Sequence, residues 1–247
     1  TALADTKVVF IGDKEQLPPV NELLSPIWTR FRLDYELTEV MRHQNSILDF
    51  VQSIRGNPNP VFESPGDQVI IAEEDQFMNE IARLAAKGAF HDGSAKAIAW
   101  RNVAVNFLNE FIRSHNVKTQ SNERYVVGDR IVFREPVVEE NRTKATVDEE
   151  GTVVSVETTR HTQYPTLKAW KVRIQLDWGH STVTTYIIHE DSETEFQQML
   201  DEFKNIKRWD KFWKLKEAFH SIAYGYALTA HRSQGSTFRT VFVDAGD

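Results

Sequence analysis

Apolar residues recur every three to four positions in several segments of the chain. This spacing predicts amphipathic helices, because it gathers the apolar side chains on one helical face. The segments are 46–55, 76–87, 102–115 and, as a broader helical region, 193–219. In the third segment, Val103, Phe107 and Phe111 are expected to point into the core.

Short continuous apolar runs alternate with the first helices. Such runs are typical of strands that are buried on both faces of a parallel sheet. The runs are 6–12, 96–100 and, near the end of the sequence, 240–244. Strand alternating with helix predicts the fold class α/β, with a parallel sheet between layers of helices.

The middle of the chain has a different pattern, which begins near Tyr125. Alternating, β-branched stretches separated by turns predict a small antiparallel barrel or sandwich. The stretches are 127–133, 151–159, 169–177 and 182–190. The acidic run 135–150 is predicted to be a solvated loop. The simplest topology is an α/β domain that is interrupted by an all-β insertion, after which the chain returns to its first sheet.

Composition narrows the possible functions. The chain contains no cysteine, which excludes a disulfide scaffold. It has no apolar run long enough for a membrane span, so no membrane partner is expected. The eight histidines show no metal-ligand spacing, and we expect no metal site. The formal net charge of −7 argues against a general polyanion binder, but it allows a local basic groove.

Polar residues follow two of the apolar stretches. Gly12 opens the loop GDKEQLPPV directly after the first run, where ligands of open α/β sheets bind. The amide of Gln16 can hydrogen-bond a phosphate oxygen or a water aligned for attack. A structural loop stiffened by proline is the alternative, and the residues alone do not separate the two.

Near the end of the chain, the polar cluster 231–235 follows an apolar stretch. It combines an imidazole, a cation, a hydroxyl, an amide and glycine, which are groups suited to positioning phosphates. A polar turn between strand and helix is the alternative. Arg42 offers a planar guanidinium that can bind two phosphate oxygens. Its alternatives are to cap the following helix or to pair with Glu39.

Four segments, which follow one another along the chain in the order that the family has, resemble motifs of superfamily 1 DNA helicases. GDKEQLPPV resembles motif III, LTEVMRHQ (37–44) motif IV, and YALTAHRSQGSTF (226–238) motif V. AIAWRNVAVNFLN (97–109) is similar to the strand-and-helix segment that contacts DNA in this family. VGDRIVFREP (127–136) resembles the opening of the SH3-like insertion of the Dda and RecD-like branch.

The resemblance implies roles for individual residues. Gln16 and Arg42 would respond to the nucleotide, whose surroundings would include Gly12, Asp13 and Gly235. The DNA contacts would come from Trp100, Asn102, Thr229, His231, Arg232, Ser233 and Gln234. Trp100 stands where the family has a hydroxyl residue, so it offers either a face for base stacking or a packing residue at the edge of the core.

The resemblance also implies a domain organisation. A RecA-like motor domain would be interrupted by a small SH3-like insertion. The predicted divisions are the tail of a first motor domain (1–35), the first part of the second (36–121), the insertion with its helices (122–219) and the return to the second motor domain (220–247).

The implied function is part of an ATP-dependent DNA helicase of 5′-to-3′ polarity that translocates on single-stranded DNA and unwinds duplex DNA in a bacterial or phage-infected cytoplasm. The sequence contains no G-x-x-x-x-G-K-[ST] loop, so the main ligands of ATP and Mg²⁺ are expected outside this chain, and the 247 residues alone are predicted to be inactive. The alternative is a non-catalytic single-stranded DNA-binding or interaction module on a degenerate helicase scaffold.

One basic segment carries aromatic residues at helical spacing. Trp209, Phe212 and Trp213 lie among Lys207, Arg208, Lys211 and Lys214. Such a segment can bind nucleic acid. Packing of the helix against the small barrel is the favoured interpretation, while the lysines remain candidates for facing a DNA strand.

Overall fold

A computed structural model shows two compact units, residues 1–74 and 75–247. The residues that the structure describes are 7–14, 16–17, 22, 24–30, 35–36, 45–55, 57, 59–64, 66–116, 119, 121–139, 142–179 and 181–247. None of the helices formed by these residues is long and apolar enough to cross a bilayer.

The first unit contains two helices among its described residues, α1 (Ile27–Arg30) and α2 (Asn45–Ile54), and α2 confirms one predicted helix. The predicted strand at 6–12 is wrong for the described residues 7–12, which have no strand structure. Val9 is 79% exposed and Ile11 93%. A strand exists only through hydrogen bonds to a neighbour, and the described part of this unit offers it no such neighbour.

Among its described residues, the second unit contains five α-helices, one short 3-10 helix (Glu190–Ser192) and ten strands. The helices are α3 (Glu74–Ala86), which starts at the unit boundary, α4 (Asn102–His115), α5 (Glu193–Asn205), α6 (Trp209–Lys216) and α7 (Ala230–Ser233). The strands are β1 (Ala95–Ala99), β2 (Arg130–Phe133), β3 (Val137–Glu139), β4 (Arg142–Ala145), β5 (Glu150–Arg160), β6 (Lys168–Leu176), β7 (Thr182–Ile188), β8 (Ile222–Tyr224), β9 (Ala227–Thr229) and β10 (Thr240–Val243).

Three strands form a parallel sheet in the order β10–β1–β9, which confirms a mixed α/β structure with a parallel sheet. The two outer strands come from the end of the chain, and β9 is not among the predicted strands. The expectation that 240–244 is fully buried is wrong, because Val241 is 42% exposed and Val243 58%. Only Phe242 points inward, where its ring packs against Phe77 and Phe90.

Helix α4 packs on this sheet with a different face from the predicted one. Val103 is 79% exposed and Phe107 60%, whereas Phe111 is half-buried. The buried face instead contains Val105, Leu108, Asn109, Ile112 and Arg113. The helix therefore has two apolar stripes. The stripe that is buried also contains the polar residues Asn109 and Arg113, so from the sequence it resembled a solvent-facing one.

The second sheet is antiparallel, in the order β7–β6–β5–β2–β8. Four of its strands confirm the predicted β stretches, and β8 adds a fifth from the end of the chain. The backbone N–H of His220 donates to the carbonyl oxygen of Tyr186 at 2.8 Å, which joins the segment before β8 to β7. The predicted acidic loop is wrong in part, because β3 and β4 form a hairpin within it.

Helices α5 and α6 confirm the predicted helical region, and they pack on the antiparallel sheet. Their contacts belong to a separate apolar cluster. The cluster is built on Leu167, Ala169, Ile188, Leu200, Leu215 and Phe219. The antiparallel sheet therefore has one apolar cluster beneath α5 and α6, and another among its own strands.

Candidate functional site

Two segments that are far apart in sequence meet at one edge of the parallel sheet. In the register of β1 and β9, Ala99 is the partner of Thr229. The residues that follow these two strands therefore leave the sheet side by side. They are the Trp100–Arg101 link to α4 and the start of α7. The rings of Trp100 and His231 lie with their centroids 5.0 Å apart.

The hydroxyl groups of this edge organise helix α7. The side-chain oxygen of Thr229 accepts a hydrogen bond from the backbone N–H of Arg232 at 3.4 Å, as a helix N-cap does. The hydroxyl of Ser233 donates to the carbonyl oxygen of Ala230 at 2.9 Å. Gly235 has φ of +80°, a conformation that favours glycine, and it ends this short turn.

The side chains at the edge differ in their solvent exposure and in their ion pairs. Asn102, His231 and Gln234 are exposed, and Trp100 is 52% exposed. A guanidinium nitrogen of Arg232 lies 3.3 Å from a carboxylate oxygen of Asp148, which belongs to the turn between β4 and β5. The antiparallel part of the unit therefore supplies a carboxylate that neutralises one cation of the edge.

A carboxylate also occupies the beginning of α4. Asp247 accepts hydrogen bonds from the backbone N–H groups of Trp100 at 2.9 Å and Arg101 at 2.6 Å, and it pairs with the guanidinium of Arg101. The backbone hydrogen bonds from Arg101 lower the pKa of this carboxyl group. These two N–H groups thus hold an anionic oxygen where β1 ends.

Asn109 holds the beginning of β9 in place. Its side-chain oxygen accepts hydrogen bonds from the backbone N–H groups of Tyr226 and Ala227, both at 2.9 Å, and its amide donates to the carbonyl oxygen of Ala227 at 3.2 Å. The sequence reasoning missed this role. One signal in the sequence could have indicated it. Asparagine is unfavourable in the middle of a helix, because its side chain competes for the hydrogen bonds of the helical backbone, so an asparagine there suggests a specific partner.

A buried ion pair lies behind the edge. Arg113 on α4 binds Asp129 through nitrogen–oxygen distances of 2.9 and 3.3 Å. Asp129 also accepts from the Tyr226 hydroxyl at 3.1 Å, while that hydroxyl oxygen accepts from the backbone N–H of Arg130 at 3.1 Å. Burial raises the pKa of Tyr226, which keeps its hydroxyl protonated.

A second polar network joins the two sheets. Lys96 on β1 is buried, and its ammonium lies 2.6 Å from Glu150 on β5 and also contacts the carbonyl of Gly225. Arg130 binds the same carboxylate at 2.9 Å and reaches Asp177 at 2.7 Å. Burial lowers the pKa of Lys96, while the Glu150 carboxylate opposes that shift.

The loop that resembles motif III lies in the first unit. The backbone N–H of Gln16 donates to the carbonyl oxygen of Asp13 at 3.2 Å, and the Asp13 carboxylate binds Arg55 at 3.0 Å. Gly12 and the Gln16 side chain are exposed. Arg42 lies outside the described residues, so the pairing of Gln16 with Arg42 at a nucleotide stays a prediction.

The described residues do not by themselves fit a nucleotide site. Phosphate binding by backbone and lysine needs a glycine-rich loop of a type that the sequence lacks. The Asp13 carboxylate is paired with Arg55. Among the residues that the structure describes, no three metal-ligating side chains come together.

Comparisons with known proteins give two matches over nearly the whole chain. The chain is 25% identical over 316 aligned positions to an uncharacterized protein of Acanthamoeba polyphaga mimivirus, covering 98% of this chain and 63% of that protein. It is 24% identical over 276 positions to the ATP-dependent DNA helicase dda of Enterobacteria phage T4, covering 96% of this chain and 62% of the helicase. No family model matches the sequence.

The chain therefore spans less than two thirds of the length of each of these relatives. The helicase match extends over both units, so it includes the motif III loop and the edge of the parallel sheet. At this level of identity the chain is a distant relative of a DNA helicase.

Proposed function

We propose that the chain is part of an ATP-dependent DNA helicase, and that the edge formed by Trp100, Asn102 and the 229–235 segment grips single-stranded DNA. One observation carries the proposal. The segments that resemble the two DNA-contacting stretches of superfamily 1 helicases lie about 130 residues apart in the sequence, yet they end side by side on β1 and β9.

The chemistry of the edge supports this role. Exposed amides of Asn102 and Gln234, the imidazole of His231 and the exposed backbone around Gly235 are suited to phosphate and sugar contacts. Half of the Trp100 surface is free to stack on a base. The site is poor in free cations, because Arg101 pairs with Asp247 and Arg232 with Asp148.

Under this proposal, the parallel sheet belongs to a RecA-like second motor domain and the antiparallel sheet is an SH3-like insertion. Gln16 and Arg42 respond to the nucleotide, and ATP and Mg²⁺ are held mainly by residues outside this chain. Resemblance to the Dda and RecD-like branch supports 5′-to-3′ polarity and activity on duplex DNA in a bacterial or phage-infected cell.

The first experiment measures single-stranded DNA binding by the 247-residue chain with two variants that should act in opposite directions. Asn102→Ala/His231→Ala removes two contacts and should weaken binding. Asp148→Asn frees Arg232 for a phosphate and should strengthen binding, with a steeper salt dependence. Misfolding cannot produce both results, and unchanged affinity in both variants would remove the edge from the proposal.

The second experiment concerns catalysis. We expect no ATP hydrolysis above background from the 247 residues, because the phosphate-binding loop is absent from their sequence. DNA-stimulated hydrolysis by the whole protein, lost in Arg42→Ala, is expected for the helicase. Its absence, together with DNA binding that does not respond to ATP, would favour the non-catalytic DNA-binding module.

A further inference from the structure

Residues from α5, α6 and the segment before β8 line a groove with a volume of about 660 Å³. Its apolar lining includes Phe196 and Leu200 on α5, Phe212 on α6, and Phe219. The volume lies within the range of about 300–1,000 Å³ that is typical of ligand pockets. The edge residues at 100–102 and 229–235 do not line this groove. It is therefore a candidate site that is separate from the edge of the parallel sheet.

Two tryptophans form the α6 side of the groove. Trp209 and Trp213 lie one turn apart on α6, and they are 49% and 50% exposed. Phe212 meets both rings in T-shaped contacts and packs into the apolar cluster beneath α6, so it fills the packing role expected of the three aromatic residues. The ammonium of Lys216 lies 5.2 Å from the centroid of the Trp213 ring. The tryptophan rings are thus held in place, half free, and able to accept a cation.

The α5 side of the groove is acidic. Glu193 and Asp201, which are both exposed, line it on this helix, and Glu135 lines it from the segment between β2 and β3. None of these three carboxylates forms an ion pair within the described part of the chain. Residues 190–203 contain six acidic side chains and no lysine or arginine. This side repels phosphates, so a nucleic acid strand is a poor ligand for the groove.

Three basic residues also line the groove, but two of them are already engaged. Arg124 pairs with Glu190 at 3.1 Å, and Lys216 lies over a tryptophan ring, which leaves Lys204. Burial lowers the pKa of His220, which also lines the groove, and the charged groups that oppose this shift are all carboxylates. Three unpaired carboxylates thus face two lysines. The charge that is left for a ligand to neutralise is negative, which calls for a cationic ligand.

The apolar lining and the tryptophans indicate a protein segment as that ligand. Tryptophan is enriched at protein interfaces, and it is among the residues that contribute most to binding there. An extended peptide would need the free backbone of an edge strand such as β7. The backbone N–H of His220 already donates to the carbonyl oxygen of Tyr186 on that strand. A helix, which satisfies its own backbone, needs only the side chains of the groove.

We propose that this groove, here called the α5–α6 groove, binds a basic amphipathic helix of a protein partner. The apolar face of that helix packs on the tryptophans and the apolar lining, and its cations pair with Glu193 and Asp201. These two carboxylates are eight residues apart on α5, or about 12 Å along the helix axis. Lysines seven or eight residues apart on the partner helix have a matching separation, and apolar residues at i, i+3, i+4 and i+7 lie between them.

The test measures binding of labelled synthetic helices to the full-length protein. The probe is a peptide of about 14 residues with leucines at helical spacing and lysines at the border of the apolar face. Two matched peptides replace its lysines by glutamate or its leucines by serine. The leucine–lysine peptide should bind at least about tenfold more tightly than either, because it alone has both apolar anchors and cations. Equal binding of the three peptides would overturn the proposal.

The first groove variant removes the aromatic side. Trp209→Ala/Trp213→Ala should weaken binding of the leucine–lysine peptide by about tenfold or more, because tryptophans dominate interfaces of this kind. Trp178→Ala, which removes an 83% exposed tryptophan from the β6–β7 turn, should bind the peptide like wild type. The same affinity in both variants would mean that the two rings do not contact the partner.

The second groove variant reverses the charge of the acidic side. Glu193→Lys/Asp201→Lys should invert the preference, so that the leucine–glutamate peptide binds more tightly than the leucine–lysine peptide. Misfolding cannot produce this gain. Glu110→Lys/Glu157→Lys makes the same change in net charge at exposed residues outside the groove, and should keep the preference for lysine. An inversion in both variants would assign the effect to net charge and overturn the proposal.

The docking site and the proposed function can fail independently. The groove variants should bind oligothymidylate like wild type, and the edge variant Asn102→Ala/His231→Ala should bind the leucine–lysine peptide like wild type. If the edge variant loses DNA while both groove variants treat the peptides like wild type, the groove is not a docking site and the proposed function stands. If the tryptophan variant loses DNA instead of the peptide, the groove is a nucleic-acid site and the proposal of a protein partner fails.

Discussion

The edge of the parallel sheet and the loop at 12–17 both contain segments that resemble helicase motifs. The contacts that hold the two regions in place are different. The edge is backed by buried contacts, in which Asn109 binds the backbone of β9 and Arg113 pairs with Asp129. The loop has an exposed turn and one ion pair, Asp13 with Arg55, whose side chains are 35% and 50% exposed.

This difference bears on how each region could act. Buried, fully paired polar groups are costly to separate, so the edge keeps its geometry when a ligand binds or leaves. An exposed turn with a surface ion pair opens at little cost. Under the proposed function, the edge is suited to holding a DNA strand, and the loop is suited to changing position.

The largest expected effect comes from breaking the buried pair behind the edge. Arg113→Met leaves the Asp129 carboxylate buried without its cation, and should destabilise the second unit by about 3–5 kcal/mol. Urea denaturation measures the loss. Arg124→Met, which breaks an exposed pair with Glu190, should cost less than about 1 kcal/mol. Equal losses would mean that burial does not distinguish the two pairs.

Removing the asparagine that binds β9 should have the next largest effect. Asn109→Leu leaves the N–H groups of Tyr226 and Ala227 without their acceptor, at a cost of about 2–3 kcal/mol. Hydrogen exchange should accelerate at residues 226–229. The control Asn106→Leu changes an exposed asparagine on the same helix, and should leave these amides protected. Unaltered exchange in Asn109→Leu would argue against the clamp.

Acidification compares the second unit with the first without a substitution. Burial lowers the pKa of His220, whereas Glu135, Glu139 and Glu217 oppose this shift. Because the unfolded chain binds the proton more readily, stability should fall as pH drops through the ordinary histidine pKa toward the lowered one. Going from about pH 7.5 to about pH 5.5 should cost on the order of 1 kcal/mol.

His220→Gln should reduce this pH dependence, with a remainder from His161, whose pKa burial also lowers. Exchange of the amides at residues 7–17, a segment without histidine, should show only the intrinsic effect of pH. A pH dependence of the same size in His220→Gln would assign it to other groups.

The smallest effects are expected in the first unit. Ile11→Ser changes a side chain that is 93% exposed, and should alter stability by less than about 0.5 kcal/mol. Arg55→Ala breaks an exposed ion pair and should cost no more than about 1 kcal/mol. Amides at 7–13 should exchange rapidly in wild type. Strong protection there would show that the loop is as firmly held as the edge.

Much of the architecture follows from periodicity alone. Apolar spacing predicted α2, α3 and α4 and the helical region of α5 and α6, and alternation predicted β2, β5, β6 and β7. These elements are long enough for their patterns to be specific. The short strands β8 and β9, with three residues each, have no pattern to detect, and they form because longer strands pair with them.

Two similar apolar runs show where the sequence alone is insufficient. VVFI at 8–11 and TVFV at 240–243 have the same character, but only the second is a strand, because β1 supplies its hydrogen bonds. The face of α4 was also undetermined, since two apolar stripes competed and the sheet selected the one with Asn109 and Arg113.

The sequence by itself determined which residue types are available for the candidate site, and it identified the motifs that contain Trp100, Asn102 and 229–235. Only the tertiary structure decided that these segments meet. It also decided that Asp148 pairs with Arg232 and Asp247 with Arg101, and that Trp209 and Trp213 remain half exposed. The physical reason is range. Helix and strand patterns report contacts a few residues apart, whereas pairing, burial and charge neutralisation depend on groups that the fold brings from distant parts of the chain.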